Sequence, residues 1–255
     1  MLNKIVSILL CFPLLLAGCG EEEKKTSTKP KLQMVISADF PPFAFFDTNK
    51  TPPKIVGFDI DIAKRIGDYL GYEIEVKDVE FSALIPSLQS GRADFAMSGI
   101  TPTEERAKSV AFSQPYYFMN NMLVHKQDND FVSREDFEGK RVAATLGTTQ
   151  EEFAKSWAAE HPGVTIVILN RANDAIQELL SGRVDGVILD ETPAGAFVSK
   201  NSKLLTMQNL EGESFASAIA FPKNSKHVDE FNRALNHLNE TGELDEIIKK
   251  WLVGQ

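Results

Sequence analysis

Residues 90–102 read SGRADFAMSGITP, and residues 181–193 read SGRVDGVILDETP. The two stretches share one pattern, and that pattern decides the fold. Each follows an amphipathic helical stretch, SALIPSLQ (82–89) before the first and DAIQELL (174–180) before the second. In each, the SGR tripeptide ends the helix, because Gly91 and Gly182 supply the left-handed residue that a helix C-terminus favours. A short apolar strand follows, then a Thr-Pro loop. One helix–turn–strand–loop unit used twice implies two similar α/β lobes. In open α/β sheets, ligands bind beyond the carboxyl ends of the strands. The loops Ser98–Arg106 and Asp190–Thr192 are therefore the first candidates for the walls of a shared cleft.

Outward from the repeat, the pattern continues. Leu32–Ala38 is a short apolar strand, and Phe40-Pro-Pro-Phe43 stops it in a loop. Gly57-Phe58-Asp59 leads into a helix with an apolar face of Ile62, Ile66, Tyr69 and Leu70 at three- and four-residue steps. Tyr72–Val79 alternates as a half-buried strand. Met119–Lys126, Val142–Thr145, Val164–Leu169 and Phe215–Phe221 read as strands, Leu204–Met207 as a short edge strand. Glu151–Ala159 reads as a helix, and Lys226–Trp251 as helical with a break at Gly242. Strands alternating with helices indicate mostly parallel sheets flanked by helices in each lobe. The expected division is residues 32–122 with 217–255 for lobe 1 and 123–216 for lobe 2. Two crossing strands, near Met122–Lys126 and Ser217–Phe221, would form a hinge, and a hinge between similar lobes suggests a closing clamp.

The N-terminus carries an address. Residues 1–18 combine Lys4 with the apolar run IVSILLCFPLLLAG, which is short for a span of about 20 residues and fits a signal peptide. The run ends in Leu16-Ala17-Gly18-Cys19. Small residues directly before a cysteine resemble the bacterial lipobox, where the chain is cut and the thiol is lipidated. Residues 19–31 then provide Cys19 and a tether, GEEEKKTSTKPK, with too little apolar surface to fold. A body facing the periplasm or cell exterior, anchored to the membrane but not spanning it, is the expectation. Cys11 leaves with the signal and Cys19 carries lipid, so no disulfide, thiol nucleophile or cysteine metal site remains. Loss of Lys4 moves the formal charge from −9 to −10. An acidic body without a basic cluster excludes nucleic acid as a partner.

Several segments together carry a specific resemblance. SGITPTEER (98–106) and VAFSQPYYFMNNMLV (110–124) stand beside ADFPPFAF (38–45), VGFDIDIAKRIGDYLGY (56–72) and EFSALIPSLQSGRADF (80–95). LGTTQEEFAK (146–155), LSGRVDGVILDETPA (180–194) and TGELDEIIKKW (241–251) complete the set. The chain from about residue 32 to 252 resembles the bacterial polar-amino-acid solute-binding proteins that serve ABC importers. The resemblance implies a two-lobed periplasmic-binding-protein fold of type II, the venus flytrap. It also implies a monomer that hands an amino acid to a permease, with no cofactor, metal or catalysis.

A zwitterionic amino acid needs a cationic fork and N–H donors for its carboxylate, a carboxylate for its ammonium, and a wall for its side chain. Arg106, five residues beyond Thr101, matches the family's arginine for the ligand carboxylate, and its planar fork suits that group. Thr101 would add a donor. Thr149, with Gln150 in the GTTQ segment, would donate from the other lobe, although GTT before a helix is also a good N-terminal cap. Asp190, at the end of the apolar strand VDGVIL, matches the aspartate that holds the α-ammonium, helped by the backbone at Ser98 and Gly99. Phe40 and Phe81 match the aromatic pair around the ligand side chain, and such rings suit a guanidinium. Ser37 stands where histidine- and lysine/arginine-type relatives have an aspartate. Thr145 stands where the glutamine type has a lysine. The SADF segment is close to the SADY of Gram-positive arginine binders and favours arginine. Glu80 could add negative charge, or be a solvated strand-end acid.

Other functions stay open at this point: a glutamine, histidine or cystine binder, a sensor lipoprotein, or a dehydratase acting on a cyclic carboxylic acid. No G-x-S-x-G, H-E-x-x-H or phosphate-loop motif occurs. His125, His161, His227 and His237 are scattered outside the candidate loops and read as structural or surface residues.

Overall fold

The computed structural model describes residues 29–129, 131, 133–210 and 214–253. The signal segment, Cys19 and most of the tether lie outside the described residues. In chain order the first elements are β1 (Lys31–Ile36), β2 (Asp39–Phe40), β3 (Ala44–Asp47), β4 (Lys54–Val56), α1 (Phe58–Leu70) and β5 (Glu73–Asp78). There follow α2 (Leu84–Gln89), β6 (Phe95–Ala96), α3 (Glu104–Ala107), β7 (Val110–Met119) and β8 (Asn121–Lys126). The chain continues through β9 (Arg141–Thr145), α4 (Thr149–Glu160), β10 (Thr165–Leu169), α5 (Ala172–Leu180), β11 (Gly186–Asp190) and α6 (Glu191–Lys200). It ends with β12 (Leu205–Asn209), β13 (Phe215–Pro222), α7 (Val228–Glu240) and α8 (Glu243–Leu252).

Two five-stranded sheets organise the molecule, one ordered β5-β1-β6-β13-β7 and the other β10-β9-β11-β8-β12. In each, two pairings are parallel, and the strands bordering the crossing, β13 and β8, run antiparallel to their neighbours. The sheets are thus mixed, with a parallel half that carries the repeated units. A strand entering from the other lobe arrives from the opposite end and must run antiparallel. The chain changes sheet at Asn120, between β7 and β8, and returns between Asn209 and Phe215. Both points precede the expected crossings, because β7 and β8 form one nearly continuous extended run in which apolar pattern does not mark a change of sheet.

Alternation builds the layers. On β1, Met34 and Ile36 join the core under α1, while Val35 joins the one under α2. On β11, Val187 and Leu189 face Ala172, Ile176 and Leu179 of the α5 side, and Ile188 faces Ala154 and Trp157 of α4. Burial of each such side chain contributes roughly 1.5–3 kcal/mol. Gly91 and Gly182 adopt φ of 68° and 76°, the left-handed conformation expected at the two helix ends.

Four local expectations change. Tyr69 is half exposed and stacks on His237 with ring centroids 4.4 Å apart, so α1 buries a narrower stripe than its spacing suggests. The expected loop is present at residues 41–43, but it is the turn between two strands of a small antiparallel sheet, β2-β3-β4, that the sequence pattern does not show. β7 is a ten-residue strand despite Pro115. Thr192-Pro193 lies inside α6, which starts directly at Glu191, so only the first copy of the repeat ends in a true Thr-Pro loop.

Candidate functional site

Parallel strands end where the lobes face one another. Ser37 follows β1, Ser98 and Gly99 follow β6, Thr145 ends β9, and Asp190 ends β11. All of them line one cavity between the lobes. Phe40 on β2, Phe81 at the head of a short 3₁₀ turn (Phe81–Ala83), Thr101, Arg106, Thr149 and Gln150 line it too. The structure therefore brings together every residue that the sequence singles out for the pocket. Asp39, Thr148, Ala172, Ile188 and Leu189 also line it and were not singled out. Asp39 had a sequence signal, its place inside SADF beside Phe40. The others are ordinary strand and helix-end residues. Glu80 is not among the lining residues.

Arg106 is placed by α3, whose N-cap Thr103 accepts the Arg106 amide at 3.2 Å. Its guanidinium donates to the carbonyl of Thr101 at 2.8 Å and, across the cleft, to the carbonyl of Gly147 at 2.9 Å. It lies 5.6 Å from the Phe81 ring centre. Burial pulls its pKa below the ordinary value, while the charges of Glu152 and Asp190 hold it up. An arginine stays cationic through such a shift, so the site presents a fixed positive fork.

Asp190 closes a strand that is buried throughout. It stands at the N-cap of α6 but makes no side-chain cap bond, so its carboxylate is left to the cavity. Gln150 Nε2 donates to it at 2.9 Å and to Asn121 Oδ1 at 2.8 Å. Asn121 is its cross-strand partner on β8. Burial pushes the Asp190 carboxyl up to about 7, with the Gln150 bond and the Arg106 charge opposing. Thr145 Oγ1 is buried with no hydrogen-bond partner. A buried hydroxyl without a partner costs free energy unless a ligand satisfies it.

On the other wall, Asp39 accepts the Ser37 hydroxyl at 2.6 Å and the Ala172 amide at 2.6 Å. The second bond crosses between lobes, as does the fork of Arg171 on Asp78 at 2.9 and 3.0 Å. Gly147 shows how closely the lobes approach. Its φ is +79°, and a Cβ there would sit 3.1 Å from Ser82 Cα, so a side chain at this position would be strained and Ser82 would have to shift by a few tenths of an ångström. The four histidines lie away from the cavity: His125 bonds the Lys126 carbonyl, His227 bonds Glu230, and His161 packs on Trp157.

A cavity with a fixed cation on one side, a poised carboxylate on the other and aromatic rings between them suits a small zwitterion. Comparison with known proteins agrees. The model of the bacterial extracellular solute-binding proteins, family 3, matches residues 32–254. The arginine-binding extracellular protein ArtP of Bacillus subtilis is 39% identical over 254 residues, covering 98% of each chain. An ancestral arginine-binding protein, solved bound to arginine, superposes with a TM-score of 0.83 at 39% identity, covering 88% of this chain and 99% of that one. The amino acid ABC transporter substrate-binding protein AbpA of Streptococcus pneumoniae, bound to L-arginine, gives 0.81 at 36%, covering 87% and 94%. The two lobes, the strand-end cavity and these matches lead to one conclusion: the chain belongs to the bacterial extracellular solute-binding proteins, family 3.

Proposed function

We propose that this protein is the extracytoplasmic substrate-binding component of an ABC importer for polar amino acids, with L-arginine or another basic amino acid as its cargo. The observation that carries the reading is the opposition of Arg106 and Asp190, one from each lobe, across a cavity lined by Phe40 and Phe81. Arg106 holds the ligand carboxylate, joined by Thr101 and by the N-terminus of α4 at Thr149 and Gln150. Asp190 holds the ammonium with the Ser98–Gly99 backbone. Ser37 and Thr145 complete the lining, and the rings sandwich the side chain. The ligand then bridges both lobes, and its binding free energy favours closure. The closed form is what a permease recognises. The relatives' arginine ligands support the basic cargo. Binding, not turnover, is the activity, and the protein acts as a monomer held to the membrane by a lipid on Cys19.

Titration calorimetry with the twenty amino acids, on wild type and on Arg106→Ala, tests the reading. A basic amino acid should bind, and the variant should lose roughly 2–5 kcal/mol, because a buried carboxylate is left unpaired. A folded variant that binds as tightly as wild type removes Arg106 from the site. For the anchor, Cys19→Ser should move the protein from the membrane to the soluble fraction. Unchanged membrane retention would reject lipidation.

A further inference from the structure

The cavity holds one charge more than an amino acid backbone needs. Its charged lining residues are Asp39, Arg106 and Asp190. Arg106 and Asp190 match the carboxylate and ammonium of any α-amino acid, which leaves Asp39 over. Asp39 is only 5% exposed and precedes Phe40, one of the two rings of the side-chain wall.

Both carboxylate oxygens of Asp39 accept hydrogen bonds. The Ser37 hydroxyl donates to Oδ1 and the Ala172 amide, at the N-terminus of the nine-residue helix α5, donates to Oδ2, both at 2.6 Å. Neither donor is a full cation. The nearest one, Arg171, stands 3.9 Å from Oδ1, but it forks onto Asp78 at 2.9 and 3.0 Å. Glu80 adds a third negative charge to the field at that guanidinium. Arg171 is thus shared among three acidic residues, Asp39, Asp78 and Glu80, and of these Asp39 is the one that lines the cavity beside Phe40. A buried negative wall favours a cationic group over a neutral one of the same shape, because only the cation compensates the charge.

We propose that Asp39 is the residue that selects a positively charged ligand side chain in this protein, a proposal that rests on the amino-acid reading of the cavity. L-Citrulline is the matched probe: it has the length and nearly the shape of L-arginine with a neutral terminus. Affinities of both are to be measured for wild type and Asp39→Asn. Wild type should prefer arginine at least about tenfold, and the variant should reduce that preference to within about threefold. Equal losses for both ligands in the variant would overturn the proposal, leaving Asp39 only as the cap on α5. Wild type that binds citrulline as tightly as arginine overturns it without any variant. Binding of glutamine but of neither probe also overturns it, while leaving the amino-acid reading intact. Wild type that binds no amino acid removes both.

Discussion

Two carboxylates in this molecule are pushed up to about 7 by burial, with different consequences. Asp59, on α1, is fully buried, accepts the Tyr116 hydroxyl at 2.9 Å, and is helped by the Gly99 amide. An unfolded aspartate ionises near ~3.9. Between about 4 and 7 the folded chain therefore binds more protons at this site than the unfolded chain does. This contribution to stability is present in full below about 4 and is lost as pH rises through about 7. At roughly 1.4 kcal/mol per pKa unit, the loss is on the order of 4 kcal/mol at most. Urea unfolding at pH 5 and 8 should show Asp59→Asn losing less stability than wild type over that interval. An equal loss in both would mean that Asp59 is ionised throughout. In the proposed complex Asp190 meets the ligand ammonium, so the proton competes with binding. Affinity should fall as pH drops below about 7, by about tenfold between pH 8 and 6. A dissociation constant flat over that range would separate Asp190 from the ammonium.

Between elements, the contact that matters is the one from the N-terminus of α5 to the C-terminal end of β5. Arg171 is the N-cap residue of α5 but makes no cap bond. It reaches the other lobe and grips Asp78 with both arms of its guanidinium. Each partner is about a quarter exposed, so water screens the pair only in part. Where the chain changes sheet, Asn120 accepts the Glu191 amide on its carbonyl at 2.8 Å. Its side chain donates to Glu191 Oε2 at 2.9 Å and accepts from Ser214, tying both crossings to α6. In the proposed closing motion, the Arg171–Asp78 contact belongs to the closed state. Arg171→Ala should leave the fold intact and speed ligand release roughly tenfold, about 1.4 kcal/mol, since a bidentate contact of the closed state is lost. Stopped-flow fluorescence would measure this. An unchanged release rate would make the pair a rim contact of no consequence, as many exposed ion pairs are.

For the whole molecule, the proposed ligand is a clasp between two sheets that the chain joins, among the described residues, at two crossings. Each lobe has its own cores, packed on both faces of its own sheet. A ligand that bridges them should therefore couple their unfolding as well as stabilise them. At a thousandfold excess over its dissociation constant, the gain is about 4 kcal/mol. For a chain of this size that corresponds to about 8–16 °C in melting temperature. Differential scanning calorimetry should show a broad or split transition without arginine and a sharper, later one with it. A shift with glutamine and none with arginine, lysine or histidine would reject the basic cargo and retain the clamp.

Local chemistry was readable from residue order. The SGR stops at Gly91 and Gly182, the alternation of β1 and β11, and the apolar spacing of α1 depend on neighbours within a few residues. The candidate side chains were legible through the family resemblance of the motifs that carry them, and those motifs sit at strand ends and helix starts, which are local features. Three things required the tertiary structure. Where β7 gives way to β8 is decided by which sheet each half pairs with, and no periodicity records that. Tyr69 sits on the apolar stripe of its helix yet stays half exposed, because the face is bounded by α7, a partner more than 150 residues away in the chain. Asp39, read alone, is one acid in a loop-like segment. Its place in the wall follows from the Ala172 amide and Arg171, both of which belong to the opposite lobe.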